Sequence, residues 1–193
     1  MTDVNFKKLS NTLSSDAVSD VANETTGDTK DLPYDLIELL FFAYRDFTAD
    51  PDDELAAFGF GRAHHRVLHF VDRNPGIMVT DLLSILKITK QSLGRVLKQL
   101  VDQDFIEQRP GPIDRRQRLL HTTEKGHELA VRLAALQSSR LERALKNLPD
   151  TEGEIVRRFL FQMIDEDMRA DVARLVNKKY RPAAPDSDPR PAR

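Results

Sequence analysis

Residues Arg109–Arg118 read RPGPIDRRQR, and the reading of this run decides the fold. Pro110 and Pro112 lack the backbone N–H that a helix interior needs, and Gly111 between them disfavours a helix. Asp114 follows, then three arginines with Gln117 among them. Stretches with helical periodicity lie on both sides. The run is therefore a break between helices or the turn of something else, and its charge needs a reason.

Just upstream, Lys90 to Gln103 places Leu93, Val96, Leu97, Leu100 and Val101 at i, i+3, i+4, i+7 and i+8. At about 100° per residue these form one apolar stripe. The opposite arc carries Gln91, Arg95, Lys98 and Asp102, with Ser92, Gly94 and Gln99 at its edges. Thr89 is a natural N-cap for this helix. Thr80 is the expected N-cap of the shorter helix before it, DLLSILKI, with Asp81 suited to its positive end. Two short helices joined by a tight turn make a helix-turn-helix.

The run itself is flanked by DFIEQR and RQRLLHTT, each of which reads as a short strand. Pro110, Gly111 and Pro112 then become the turn of a hairpin, and two strands after a helix-turn-helix make a winged helix. Residues 87–118 hold eight basic side chains against four acidic ones in a chain of net charge −2. The positive charge thus gathers where this architecture would meet DNA.

Further out, residues 34–48 are apolar nearly all round (Leu36, Ile37, Leu39, Leu40, Phe41, Phe42, Phe47), which calls for burial against a partner chain or in a central core. A helix over 61–73 stops at NPG. A long helix is expected from Thr122 to Leu148, ended by Pro149, and a final one over about 151–177. The expected organisation is a disordered tail over 1–32, a dimerisation and pocket helix over 33–58, a winged helix-turn-helix over 59–122, dimerisation helices over 123–178, and a disordered tail over 179–193. The fold class is mainly α, with a two-stranded wing and an α-helical dimerisation domain. A homodimer built on the first and last helices is the expected way to bury them.

With no cysteine, the chain has no disulfide, thiolate metal site or thiol switch. Its polar, acidic start lacks the apolar core of a secretory signal, and its most apolar run, LIELLFFAY, holds Glu38 and is about half a membrane span. A cytoplasmic protein with no membrane partner is expected. There is no phosphate-cradling glycine loop, nucleophile elbow or zinc-protease motif, so neither an enzyme nor a cofactor is expected.

The segment ITKQSLGRVLKQLVDQDFIEQRPGPIDRRQRLLHTTEKGHEL resembles the MarR family of bacterial winged-helix transcription regulators. Most specific is DRRQRLLHTTEKG, similar to the family's Asp-Arg-Arg wing, alternating strand and Thr-x-x-Gly helix start. Asp104 stands where the family usually has Gly, and Thr122 where it usually has Leu. The resemblance covers about residues 34–176. It implies a homodimer on double-stranded DNA, with one helix of each subunit in a major groove and the wings in flanking minor grooves. It also implies a repressor that a small aromatic or anionic ligand releases.

By position, Gln91 and Ser92 would reach base edges, while Thr89, Lys90, Arg95 and Lys98 would meet phosphates. In the wing, Arg116 is the candidate for minor-groove insertion, oriented by an ion pair with Asp114, and Arg115 could exchange roles with it. The family's effector pocket points to Phe41, Tyr44, Phe60, His65, Arg66 and His69, which could equally be ordinary core. His65 and His69 lie at i, i+4, suited to zinc, but no third ligand is evident, so no metal site is assigned. Two alternatives stay open: a winged-helix module that binds only protein, and a metal-responsive regulator.

Overall fold

The computed structural model describes residues 32–149 and 152–178; the expected tails otherwise lie outside the described residues. The chain divides into two compact units after Ala43. The described part of the first is the start of helix α1 (Tyr34–Ala56), where Leu36, Leu39, Leu40, Phe41 and Phe42 are exposed. The helix also outruns its expected end, passing through Pro51 to Ala56. Pro51 donates no backbone hydrogen bond, but Thr48, Pro51 and Leu55 are buried, and that packing holds the segment helical.

The second unit holds the remaining elements. They run α2 (Arg62–Arg73), β1 (Ile77–Met78), α3 (Val79–Leu86), α4 (Lys90–Asp102), β2 (Ile106–Pro110), β3 (Arg118–Thr122), α5 (Glu124–Lys146), α6 (Glu152–Gln162) and α7 (Glu166–Val176). Helices α3 and α4 are the helix-turn-helix. The winged helix expected from sequence is present, with a sheet of three antiparallel strands rather than two, in the order β1-β3-β2. Two residues of β1 are too few to show a period, and only their pairing with Leu119 and Leu120 reveals the strand. The hairpin register sets Gln108 opposite Leu120 and Pro110 opposite Arg118.

That small strand explains another difference. Met78 is held extended by its pairing with Leu119, so α3 begins at Val79 and Met78, not Thr80, stands at the N-cap. Asp81 accepts the Met78 N–H through Oδ2 at 3.2 Å, so the acidic residue does the capping.

The core draws on every layer: Leu68 and Val71 of α2, Leu82 of α3, Leu93, Leu97 and Leu100 of α4, Ile106 and Leu120 of the sheet, Leu129 and Leu133 of α5. Phe105 lies at its centre and meets Phe58 and Phe60 edge-on at ring distances of 5.2 Å. The four stripe residues Leu93, Val96, Leu97 and Leu100 are buried and Val101 is half-buried, as the period of α4 predicts.

The end of α4 solves the problem set by Asp104. The Phe105 N–H donates to the Leu100 carbonyl and the Asp104 N–H to that of Val101, which is the Schellman arrangement that needs a left-handed residue. Asp104 supplies it, at φ +62°. Aspartate tolerates this region better than most residues, though less well than glycine. Thr123 then caps α5, its hydroxyl accepting the Gly126 N–H at 3.0 Å and donating to the Asp104 carbonyl at 2.7 Å.

The single helix expected over 151–177 is two helices. Between them Arg169 donates to the carbonyls of Gln162 and Ile164, both at 2.9 Å, answering acceptors that a broken helix leaves open. After the break α7 packs toward α2, where Arg73 donates to the Lys178 carbonyl at 3.0 Å and Lys178 to the Asn74 side chain at 3.1 Å.

Candidate nucleic-acid interface

With its apolar stripe sunk in the core, α4 turns Lys90, Gln91, Ser92, Gly94, Arg95, Lys98 and Gln99 outward. Thr89 caps the helix, its hydroxyl oxygen accepting the Ser92 N–H at 3.2 Å while donating to the Ser92 hydroxyl at 2.9 Å. The cap thus orders the first turn, where Gln91 and Ser92 stand. A Cβ on Gly94 would meet nothing within 4 Å. No packing constraint of this chain explains the glycine, which leaves bare backbone on the outer face.

The helix is braced at one edge by α2. His64 of α2 accepts the Gly61 N–H at Nδ1, 3.1 Å, and joins Gln99 through Nε2 at 2.6 Å. A ring accepting at Nδ1 carries its proton on Nε2, so His64 donates to the Gln99 amide oxygen. Its face stacks on Phe60 with centroids 4.6 Å apart. Gln99 was legible as an edge of the polar arc, but this bond was not, because the partners are 35 residues apart.

A shallow groove of about 400 Å³ separates α4 from the wing, with Lys90, Gly94 and Lys98 on one wall and Gln108 of β2 on the other. The turn beyond β2 is closed by the Gly111 N–H on the Gln117 carbonyl and the Gln117 N–H on that of Asp114. Gly111 is needed here, since a Cβ would stand 2.7 Å from the Asp114 oxygen. The expected ion pair between Asp114 and Arg116 is not formed; the Asp114 carboxylate instead accepts the Arg116 backbone N–H at 2.9 Å. It shapes the turn and leaves the guanidinium of Arg116 to solvent. Ile113, unremarked in the sequence reading, is 98% exposed at the tip.

The local charge also sorts itself. Lys98 is paired with Asp102 at 2.5 Å, and Arg109 with Glu107 at 2.6 Å. Among the described residues Lys87, Lys90, Arg95, Arg115, Arg116 and Arg118 enter no ion pair. Six uncompensated cations on α4, its preceding turn and the wing make a positive surface in a chain that is net negative.

Of the six residues named for a pocket, four come together. Tyr44, His65, Arg66 and His69 line a cleft of about 320 Å³, joined by Phe47, Thr48, Arg62, Phe70 and Gln137. Phe60 is instead buried in the aromatic cluster around Phe105. Phe41 belongs to the first unit and is exposed. Burial pushes both His65 and His69 below the ordinary histidine range, and His69 beside the first and Arg73 beside the second push the same way. Among the described residues no group of three or more His, Cys, Asp or Glu gathers in metal-binding geometry. None of their helices is long and apolar enough to cross a membrane.

Residues 58–117, nearly the whole winged helix-turn-helix, match the sequence profile of the MarR family. The HTH-type transcriptional regulator PetP of Rhodobacter capsulatus is 47% identical over 133 residues, spanning 69% of this chain and 80% of that protein. An HTH-type regulator of Mycobacterium bovis is 31% identical over 48% of this chain and 68% of its own length. In fold, the crystal structure of MarR superposes with a TM-score of 0.57 at 21% identity, covering 76% of this chain and 97% of that one. A MarR family regulator from Listeria monocytogenes, solved in complex with a 26mer DNA, superposes at 0.59 with 21% identity, over 77% and 97% of the two chains. The braced outer helix, the basic wing and these likenesses agree: the chain belongs to the MarR family of DNA-binding transcription regulators, and it is not an enzyme.

Proposed function

We propose that this regulator is a homodimeric repressor acting on chromosomal DNA in the cytoplasm. The observation that carries its mode of binding is the adjacency of the outer face of α4 and the basic wing across one open groove. In this reading α4 enters a major groove with Gln91 and Ser92 at base edges. Gln pairs well with adenine, and Ser is less selective. Thr89, Lys90 and Arg95 hold flanking phosphates, and Lys98 joins them by exchanging Asp102 for a phosphate oxygen. The wing lays Arg116 into the minor groove, with Arg115 on the adjacent backbone. Asp114 sets the turn that aims both, and Ile113 rests on the sugar walls.

Dimerisation follows from exposed apolar surface. The first unit leaves large apolar side chains of α1 open, Leu36, Ile37, Leu39, Leu40, Phe41 and Phe42 among them, and α6 does the same with Ile155, Phe159 and Leu160. Patches of this kind mark interaction sites. The cleft lined by Tyr44, His65, Arg66 and His69 is the effector site, sized for a single-ring ligand. Footprinting over the genome tests the reading. It should recover a palindrome with half-sites about one helical turn apart. Affinity for that duplex should fall linearly in log–log salt. A flat salt response would defeat the DNA reading in favour of a protein-binding module.

A further inference from the structure

The cleft holds two arginines that are engaged differently. Arg62 donates through Nε to Asp52 at 2.8 Å, so its charge is balanced. Arg66 has no carboxylate partner among the described residues; its Nη2 donates to the main-chain oxygen of Leu86 at 2.9 Å. Leu86 is the buried last residue of α3. After it Lys87 takes the left-handed conformation, φ 49°, and closes the helix by donating to the Leu83 carbonyl at 3.0 Å. The Leu86 oxygen belongs to the last turn, whose acceptors have no partner within the helix, and Arg66 answers it from outside. A cation is also favoured at this negative end of the helix. Thr89, which caps the outer helix, comes three residues after Leu86. One guanidinium therefore both lines the cleft and secures the turn Lys87–Thr89 between the two DNA-binding helices.

We propose that Arg66 couples the cleft to that turn: an aromatic anion in the cleft takes the guanidinium for itself and releases Leu86. This rests on reading the cleft as an effector site. The charges there favour the exchange. His65 and His69 are held neutral near pH 7 by burial and Arg62 is already neutralised, so Arg66 is the cation left to meet an incoming carboxylate or phenolate. A guanidinium can meet a carboxylate through two parallel bonds and full charge opposition, which a single neutral carbonyl oxygen cannot offer. Tyr44, Phe47 and Phe70 supply apolar walls for a ring. Once Arg66 turns inward, the Leu86 oxygen loses its donor, and the left-handed Lys87, strained for a residue with a Cβ, loses what steadied it. The start of α4 then samples orientations that fit the groove less well. By linkage, operator DNA weakens binding of the anion by the same factor.

The test uses benzoate as probe, the operator found by footprinting, and the full chain as wild type and R66M. Met keeps the apolar stem and removes the charge. For the wild type, benzoate should bind, weaken operator affinity about tenfold and speed amide hydrogen exchange at Lys87–Lys90. R66M should show fast exchange at those amides and weaker operator binding with no ligand, and benzoate should change neither. R66K, which keeps the charge without the planar fork, should retain part of the benzoate response; it carries the test if R66M does not fold, and complete loss of response there would overturn the proposal. Wild-type exchange at Lys87–Lys90 in R66M would overturn it too. So would release of R66M by benzoate to the wild-type degree, which leaves the effector reading standing. Failure of benzoate to bind the wild type would overturn both.

Discussion

A β-carbon placed on Gly126 would lie 1.9 Å from the carbonyl oxygen of Phe105. The first turn of α5 is thus laid backbone to backbone on the root of the wing. The Thr123 N–H donates to that same oxygen at 3.2 Å. Because the obstacle is main chain, it cannot move aside cheaply. Gly126→Ala should destabilise the protein by about 2–3 kcal/mol, the range of severe overpacking, as measured by denaturant midpoint. Gly94→Ala, with nothing within 4 Å, should stabilise the fold by about 1 kcal/mol while weakening operator binding. Equal stability effects at the two glycines would contradict this packing.

Asp104 sits at φ +62° in a position suited to glycine. Asp104→Gly should raise stability by up to about 1 kcal/mol, the left-handed cost being only partly offset by the looser unfolded chain. Operator affinity should not change. A lower melting temperature would mean that the carboxylate contributes more than its backbone strain costs.

In the wing, the Arg116 guanidinium is left unpaired because Asp114 is spent on the backbone. Arg116→Ala should weaken operator binding by about 1–3 kcal/mol, most where the flanking DNA is A·T-rich. Arg115→Ala should cost less, equally across sequences, and lower the salt slope by about one. Shift assays across a salt series distinguish the two. The reverse pattern would assign the groove to Arg115.

Acid should loosen the protein through α2. His65 and His69 both lie below their ordinary value of 6.5, chiefly because burial disfavours the charged ring. The unfolded chain therefore takes up these protons more readily than the folded one. The stability that the neutral rings contribute is full above about pH 6.5 and is lost as pH falls below it. Thermal melts at pH 7.5 and 5.5 should show this drop, and His65→Gln with His69→Gln should flatten it. An unchanged slope in the double variant would place the acid sensitivity elsewhere.

Phe159 and Leu160 stand half-exposed on α6. If they belong to a subunit interface, Phe159→Glu should halve the sedimenting mass and weaken operator binding with it, since one half-site holds far less tightly than two. A variant that stays dimeric would locate the interface on other surfaces.

The winged helix-turn-helix was legible from residues 80–126 because its signals are local. An apolar stripe at helical spacing, a Thr cap before it and a Pro-Gly-Pro turn each act within a few residues. The stripe of α4, the Thr89 cap and the hairpin all follow from such short-range chemistry. Strand β1 was not legible, since two residues carry no period and exist as strand only against Leu119 and Leu120. That pairing moved the start of α3 off Thr80. Likewise the break in the last helix depends on where Arg169 finds carbonyls to bind.

The site divides in the same way. Sequence alone determined which face of α4 is polar and that the wing is basic, because helical and strand periods dictate which side chains share a face. Only the tertiary structure decided that Asp114 serves the backbone of the turn, that Phe60 joins the core rather than the cleft, and that Arg66 reaches the Leu86 oxygen. Those outcomes depend on which atoms of distant segments come within hydrogen-bonding or packing distance, a matter of three-dimensional closure that no local pattern encodes.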